Sequence, residues 1–174
     1  MKREVGLWQF SGFVLAAALG TILHFLYDWT GNVGVAAFSA VNESTWEHMK
    51  LVFFPSFLFA IVQSKFFYKE YKGFWWVKLV GILLATLLVP VLFYTFNGAF
   101  GQSPDWLNIL FFFMALGVAY FVEWVLLRRG GIDWKAQGVA VAILCAVAVL
   151  FVLFTFVTPQ LPLFEDPISG KYGL

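Results

Sequence analysis

The sequence of 174 residues is 61% hydrophobic and 12% charged, and its mean hydropathy is +0.84. A soluble domain of this length has too little interior to hide so much apolar surface, so the composition excludes one and indicates a chain whose solvent is lipid. A net charge of +1 excludes the strongly basic surface typical of nucleic-acid binding. We therefore expect membrane lipids, and no nucleic acid, as partners.

Five apolar stretches are long enough to cross a bilayer, which takes roughly 20 residues of helix. Because backbone amides in hydrocarbon must bond within their own segment, each stretch is predicted to be helical. The predicted helices span about residues 8–27, 45–67, 74–97, 104–127 and 136–157. Residues 30–41 are expected to form a short re-entrant or interfacial segment. The sequence thus predicts an all-α polytopic membrane bundle, with one integral membrane domain over residues 1–174.

The basic residues are distributed unevenly between the two ends of these helices. Nine of the 11 lysines and arginines fall on one side, leaving only Lys50 and Lys171 for the other. Since cytoplasmic segments of membrane proteins are enriched in Lys and Arg, the N-terminus is predicted to be cytoplasmic. Five crossings then place the tail, residues 158–174, outside. The expected location is the cell membrane, as a multi-pass protein.

The acidic residues show the opposite distribution, which membrane topology does not require. Those at the predicted outer ends are Asp28, Glu43, Glu47, Asp105, Glu165 and Asp166. His24 and Asp28 are four residues apart and so share one face of the first helix. His48 lies one turn inside the second helix. The short connection must bring these two helix ends together, so both histidines are predicted to meet several carboxylates.

This arrangement predicts a metal site at the outer face. Ionisable groups at membrane depth cost about 2.5–3.5 kcal/mol each, so they normally face the bundle interior and pair with one another. We expect His24 and His48 to supply two metal ligands, and either Asp28 or Glu43 to supply the third. Two histidines with one carboxylate form an established set for catalytic zinc, so Zn²⁺ or another divalent metal ion is the predicted cofactor.

The hypothesis assigns catalytic roles to two neighbouring residues. Glu47 is the predicted general base for a bound water, and Lys50 is predicted to stabilise the developing oxyanion. The predicted activity is hydrolysis of a lipid or another amphiphile at the outer leaflet.

Structural roles account for part of the same pattern. Ser44-x-x-Glu47 is a capping box, in which the serine accepts from the amide of Glu47 and the glutamate reaches back to the serine amide. Whether Ser44 and Glu47 do more than cap the helix stays open at this point. At the other end of the bundle, Glu123 is expected to pair with Arg128 or with a lipid headgroup.

Two further functions use the same polar residues. Interior acids and histidines commonly mark transport pathways, so the chain could be a transporter or channel for a cation or small solute. It could also be a non-catalytic protein that binds a ligand or partner, with the polar residues fixing two helices together. Whether the protein is an enzyme is therefore left open by the sequence.

Three motifs stand out in the sequence: His24-x-x-x-Asp28, then Asn42-Glu43-Ser44-x-Trp46-Glu47-His48-x-Lys50, and in the tail Asp166-Pro167-x-x-Gly170-x-Tyr172-Gly173. In these motifs the chain resembles a family of small uncharacterised bacterial polytopic membrane proteins. This resemblance covers essentially the whole chain and implies a shared fold, with no family activity to carry over. The spacing of Ser44 and His48 is also similar to that in the CREST membrane hydrolases, which hold zinc near one membrane face. That second resemblance implies a catalytic Ser44, although CREST proteins have seven helices and three histidine ligands.

Overall fold

The computed structural model describes residues 2–174 as a bundle of helices. In chain order the α-helices of this part are α1 (Lys2–Thr30), α2 (Val33–Ala36), α3 (Thr45–Phe67), α4 (Phe74–Phe100), α5 (Asp105–Arg128) and α6 (Gln137–Phe156). All of them except α2 are long and apolar enough to cross a membrane. The predicted all-α bundle of five membrane-spanning helices is confirmed. Which end faces the cytoplasm stays a prediction from the basic residues.

Two helices are longer than their apolar stretches predict. Helix α1 begins at Lys2 rather than at residue 8, because charged residues with good helix propensity precede its apolar run. Helix α4 continues to Phe100 and ends where Gly101 adopts φ 87°, a conformation that a glycine adopts readily. The bounds of α3 are those that the sequence predicts, because Ser44 marks its start.

Helix α3 lies at the centre of the bundle. It packs against α1, α4 and α6, while α5 packs against α1 and α4. Val52 and Phe53 of α3 are completely buried in the main apolar core. Gly20 of α1 lies directly against α3, since a Cβ at this position would come within 2.6 Å of the carbonyl oxygen of Leu51. A glycine is therefore needed for α1 and α3 to approach each other one turn below His24.

The connection between α1 and α3 folds back onto the end of α1. Asn32 caps the short helix α2 by accepting from the amide of Gly34 at 2.8 Å. The hydroxyl of Ser39 then accepts from the amide of Tyr27 at 3.0 Å and donates to the carbonyl of Leu23. The segment that the sequence predicts to be re-entrant or interfacial is thus a short helix followed by a loop fixed to the last turns of α1.

The tail lies over the end of the bundle at which α1 ends and α3 begins, which we call the histidine end. It contains a short 3₁₀ helix, Pro162–Phe164, and the buried ring of Phe164 packs on Trp46 with centroids 4.7 Å apart. The side-chain amide of Asn42 donates to the carbonyl of Gly173 at 3.0 Å. These contacts hold the last residues of the chain next to the start of α3.

Candidate metal centre

Three side chains converge at the histidine end. His24 lies near the end of α1, Glu43 lies in the loop before α3, and His48 lies in the first turn of α3. His24 Nε2 is 3.8 Å from Glu43 Oε2, and His48 Nε2 is 3.5 Å from the same oxygen. The two imidazole rings meet edge to face with centroids 5.2 Å apart. One ligand atom from each residue lies within 4.8 Å of the other two.

These distances suit a bound metal ion. Zinc ligands lie about 2.0–2.2 Å from the metal, so neighbouring ligand atoms in a tetrahedral site are roughly 3.4 Å apart. The two distances to the Glu43 oxygen differ from this value by a few tenths of an ångström. The third pair of ligand atoms, one from each imidazole, lies within 4.8 Å, so the two histidines would rotate toward each other to reach one ion. With that movement the group could hold a metal ion.

The backbone fixes the orientation of His48. Its Nδ1 lies 2.9 Å from the carbonyl oxygen of Ser44. A carbonyl oxygen can only accept a hydrogen bond, so Nδ1 carries the proton and the lone pair of the neutral ring lies on Nε2. This is the arrangement of a metal-ligating histidine, whose second nitrogen donates to a carbonyl or carboxylate. Nε2 faces Glu43 and His24, where a ligand atom is needed.

His24 is held less completely. Its Nδ1 is buried and has no hydrogen-bond partner in residues 2–174. The ring is positioned instead by packing against Phe25 and against the ring of His48. Its neutral tautomer is consequently not set by the protein, and either ring nitrogen can carry the proton.

The cluster is open to its surroundings. The side chains of His24, Glu43 and His48 are 27%, 42% and 29% exposed. His24 is six residues before the end of α1, which corresponds to about 9 Å along the helix axis. A ligand from water or from the headgroup layer can therefore reach the three side chains.

The structure places the other predicted metal ligand outside this group. Asp28 is exposed at the end of α1 and does not belong to the converging set. Glu43 takes the carboxylate position because its loop turns it between the two histidines. Of the two alternatives for the third ligand, the geometry favours Glu43.

The predicted catalytic residues Glu47 and Lys50 bind each other. Lys50 Nζ lies 2.5 Å from Glu47 Oε2, and it donates to the carbonyl of Ala36 at 2.9 Å and to the hydroxyl of Thr155 at 2.8 Å. All three protons of the ammonium group thus have an acceptor. Glu47 also accepts from the amide of Val41 at 3.1 Å. Both side chains are buried, and neither belongs to the three converging residues.

Ser44 occupies the N-cap position of α3. Its hydroxyl accepts from the amide of Glu47 at 3.4 Å, as the capping box predicts. Glu47 completes the box differently, because its carboxylate binds Lys50 and the amide of Val41 rather than the amide of Ser44. The amide of Ser44 is bound by Asn42 Oδ1 at 2.9 Å. Catalytic roles for Ser44, Glu47 and Lys50 stay predictions.

Sequence reasoning missed a second ion pair at the other end of the bundle. Glu123 of α5 lies 2.5 Å from Lys78 of α4, and not beside Arg128 as expected. Both residues are buried. Lys78 and Glu123 each interrupt an apolar stretch, and they do so at the same end of two consecutive helices. That pattern could have predicted the pair. Thr155 was also missed, because a single hydroxyl in the apolar run of α6 gives no indication of which helix it faces.

Together the helices and the cluster define a multi-pass membrane protein with a His/Glu group able to hold a metal ion. The chain belongs to a family of unknown function, DUF6512, and the sequence model of that family matches residues 2–174. No curated protein and no solved structure matches it. The predicted membership in an uncharacterised family therefore fits, and the function has to be argued from the site.

Proposed function

We propose that this protein binds one divalent metal ion, most suitably Zn²⁺, through His24, Glu43 and His48, and uses it to hydrolyse a membrane amphiphile. The observation that carries the proposal is the convergence of two imidazoles and one carboxylate from three separate segments on one point. Two histidines and one carboxylate are the protein ligands of several hydrolytic zinc sites. The proposal goes beyond the family, which has no known function.

The number of ligands supports catalysis over a purely structural ion. Structural zinc sites are closed by four protein ligands, whereas catalytic sites have three and keep a position for water or substrate. In the described part of the chain, three side chains converge here. A bound divalent ion would lower the pKa of a coordinated water and polarise an ester or amide carbonyl. Water supplies the hydroxyl group, and the leaving group takes the proton.

The position of the cluster supports a substrate with an apolar part. Phe25 and Trp29 are exposed beside His24 and stack on each other with centroids 5.8 Å apart. Aromatic side chains at the end of a membrane helix favour the headgroup boundary. A scissile bond near a lipid headgroup would lie at this depth, while its acyl chain stays in the bilayer.

The first experiment measures metal content. Protein purified in mild detergent without chelator is expected to contain close to one equivalent of metal by elemental analysis, and to take up one equivalent of Zn²⁺ after stripping. His48→Ala, His24→Ala and Glu43→Gln should each weaken this binding at least tenfold. Asp28→Asn is the matched control, because this exposed carboxylate lies outside the cluster and its loss should leave binding unchanged.

The second experiment separates hydrolysis from the alternatives. Metal-loaded protein is incubated with vesicles of bacterial phospholipids and amide-linked lipids, and released fatty acid is measured. The proposal predicts release that stops on chelation and in Glu43→Gln but persists in Asp28→Asn. Metal flux into liposomes without lipid release would instead support transport. A non-catalytic protein would be supported if the wild type bound no metal and the substitutions at His24, Glu43 and His48 only lowered the thermal stability.

A further inference from the structure

A second polar cluster lies inside the bundle at the end opposite the histidines. It consists of the buried ion pair between Lys78 and Glu123 and four uncharged polar residues, Gln9, Ser56, Gln63 and Tyr120. All six side chains are buried. Ser56 lies midway along α3 (Thr45–Phe67), so the cluster extends from one end of the bundle to its middle.

Several contacts bring these residues together. The ammonium of Lys78 lies over the rings of Phe59 and Tyr120, 5.8 and 5.7 Å from their centroids. Gln9 approaches the Glu123 carboxyl, and Ser56 approaches the Tyr120 hydroxyl.

Gln63 faces the same interior. It lies two turns from Ser56 and one turn from Phe59 on a single face of α3. Phe59 contacts Lys78, so this face of α3 is the one turned toward the ion pair.

The four uncharged residues have polar atoms that approach neighbours without reaching good hydrogen-bond geometry. Six of their side-chain atoms are buried without a partner of normal geometry: both amide atoms of Gln9 and of Gln63, the Ser56 hydroxyl and the Tyr120 hydroxyl. Elsewhere among the side chains of residues 4–174 this holds only for His24 Nδ1 and Trp46 Nε1. So high a local concentration of unpaired groups requires an explanation, because buried polar groups are nearly always hydrogen-bonded.

The surroundings make this requirement stronger. Around a membrane-spanning helix there is no bulk water that could reach such a group by a small local opening. Lys78 shows the same deficit, since its ammonium has one hydrogen-bond acceptor, Glu123, in the described structure. Lys50 at the histidine end has three. The ammonium of Lys78 therefore has donors free for a further polar group.

We propose that the second polar cluster is an internal water-binding site, in which ordered water molecules bridge Gln9, Gln63, Ser56 and Tyr120 and hydrate the Lys78–Glu123 pair. The charges of the pair cancel, so the site has no net preference for an anion or a cation. The amide groups offer donors and acceptors, and the hydroxyls offer both. Water matches this mixture, since a buried water typically makes about three hydrogen bonds as donor and acceptor.

The second polar cluster shares no residue with the candidate metal centre, so a protein without any bound metal would retain it. It does give the bundle a polar interior that extends from one end to its middle, which the sequence did not reveal. A small neutral solute with hydrogen-bonding groups could use the same partners, so the experiment has to separate solute from water.

Radiolytic hydroxyl-radical labelling tests for water directly, because radicals formed from bound water oxidise the side chains beside it. In wild-type protein exchanged thoroughly into fresh buffer, Phe59 should be labelled at least several-fold more than Phe111. Phe111 is the matched control, a phenylalanine of α5 with nearly the same slight exposure that lies outside the second polar cluster. Labelling of Phe59 no higher than that of Phe111 would overturn the proposal, whether the cluster is dry or holds a solute.

Substitution of the glutamines by methionine gives a second test, in which the direction of the change in Tm decides the outcome. Met has nearly the shape of Gln but no hydrogen-bonding amide. If water satisfies the amides, Gln9→Met and Gln63→Met should each lower the Tm by about 2–4 °C and reduce labelling of Tyr120. If the amides are unsatisfied, removing them should raise the Tm, and that result contradicts the proposal.

A control variant accounts for the general effect of removing a buried polar group. Thr86→Val removes a buried hydroxyl of α4 that is already bound to its own helix at Ile82. It should change the Tm less than either methionine variant and leave the labelling of Phe59 and Tyr120 unchanged.

Discussion

The two buried ion pairs of this protein have the same charges and the same separation, 2.5 Å, but different surroundings. Lys50 at the histidine end has a protein acceptor for every proton, whereas Lys78 at the other end has one hydrogen bond and three aromatic rings nearby. A charge pair with all its hydrogen bonds made forms a closed network that fixes its helices. A pair whose ammonium group has unused hydrogen-bond donors requires further acceptors around it. The first pair thus connects its helices through bonds within the protein, whereas the second has donors free for a further polar group.

The closed network also positions the loop that carries Glu43. Lys50 ties the end of α2 to α3 and α6 through Ala36 and Thr155. Glu47 ties the loop before Glu43 to the same point through the amide of Val41. Ala36 and Val41, which both precede Glu43 in the chain, are therefore anchored to α3. In this arrangement Glu47 and Lys50 hold the loop that leads to Glu43, and neither belongs to the three converging residues.

The largest predicted effect is the loss of Lys50. Lys50→Met leaves the Glu47 carboxylate buried without its partner, which should cost roughly 3–5 kcal/mol of unfolding free energy. Thermal and denaturant unfolding in detergent micelles would measure it. The double variant Glu47→Gln/Lys50→Met should recover most of the loss, because it removes both charges. A single variant as stable as the wild type would mean that the network does not hold the helices.

A smaller effect is predicted for the second pair. Lys78→Met should cost about 1–3 kcal/mol, because in the proposed water-binding site water would hydrate the remaining carboxyl group of Glu123. The same unfolding experiment measures the difference between the two lysine variants. Equal losses for Lys78→Met and Lys50→Met would contradict the contrast between an open and a closed site.

A close approach of two helices offers a test at the second pair that removes no charge. A Cβ at Gly81 of α4 would overlap the carboxylate of Glu123, so Gly81→Ala should push this side chain away from Lys78. We expect a loss of about 1–2 kcal/mol from overpacking. Gly98→Ala is the matched control in the same helix, because a Cβ there meets nothing within 4 Å. It should be neutral or slightly stabilising.

The contrast between the two ends also shows what the sequence can predict. Hydropathy identifies each membrane helix by itself, so the five spans and the start of α3 after Ser44 follow from the sequence. The short connection between two helices also predicts that His24 and His48 lie close together. It does not decide between Asp28 and Glu43, because that choice depends on how the loop folds onto Leu23 and Tyr27.

Pairing between distant helices was beyond the sequence for a physical reason. Helix α6 is apolar on all sides, so nothing indicates that Thr155 faces Lys50. From the sequence, Lys78 could be a basic residue at the membrane surface or a buried residue with an acidic partner. Its burial against Glu123 depends on the packing of α4 against α5 at Gly81. Functional roles for Ser44, Glu47 and Lys50 stay predictions, since proximity in the chain does not determine what each side chain binds.

The smallest predicted effect concerns Ser44, and it separates a helix cap from a nucleophile. Ser44→Ala removes the acceptor for the amide of Glu47 and should cost about 1 kcal/mol, while Ser44→Gly should cost only a few tenths. Metal content should stay at the wild-type level in both. Because the metal centre needs no serine in the proposed hydrolysis, lipid turnover per bound metal should also be retained. Turnover that disappears in both variants while metal content and folding persist would instead assign Ser44 a chemical role beyond the cap.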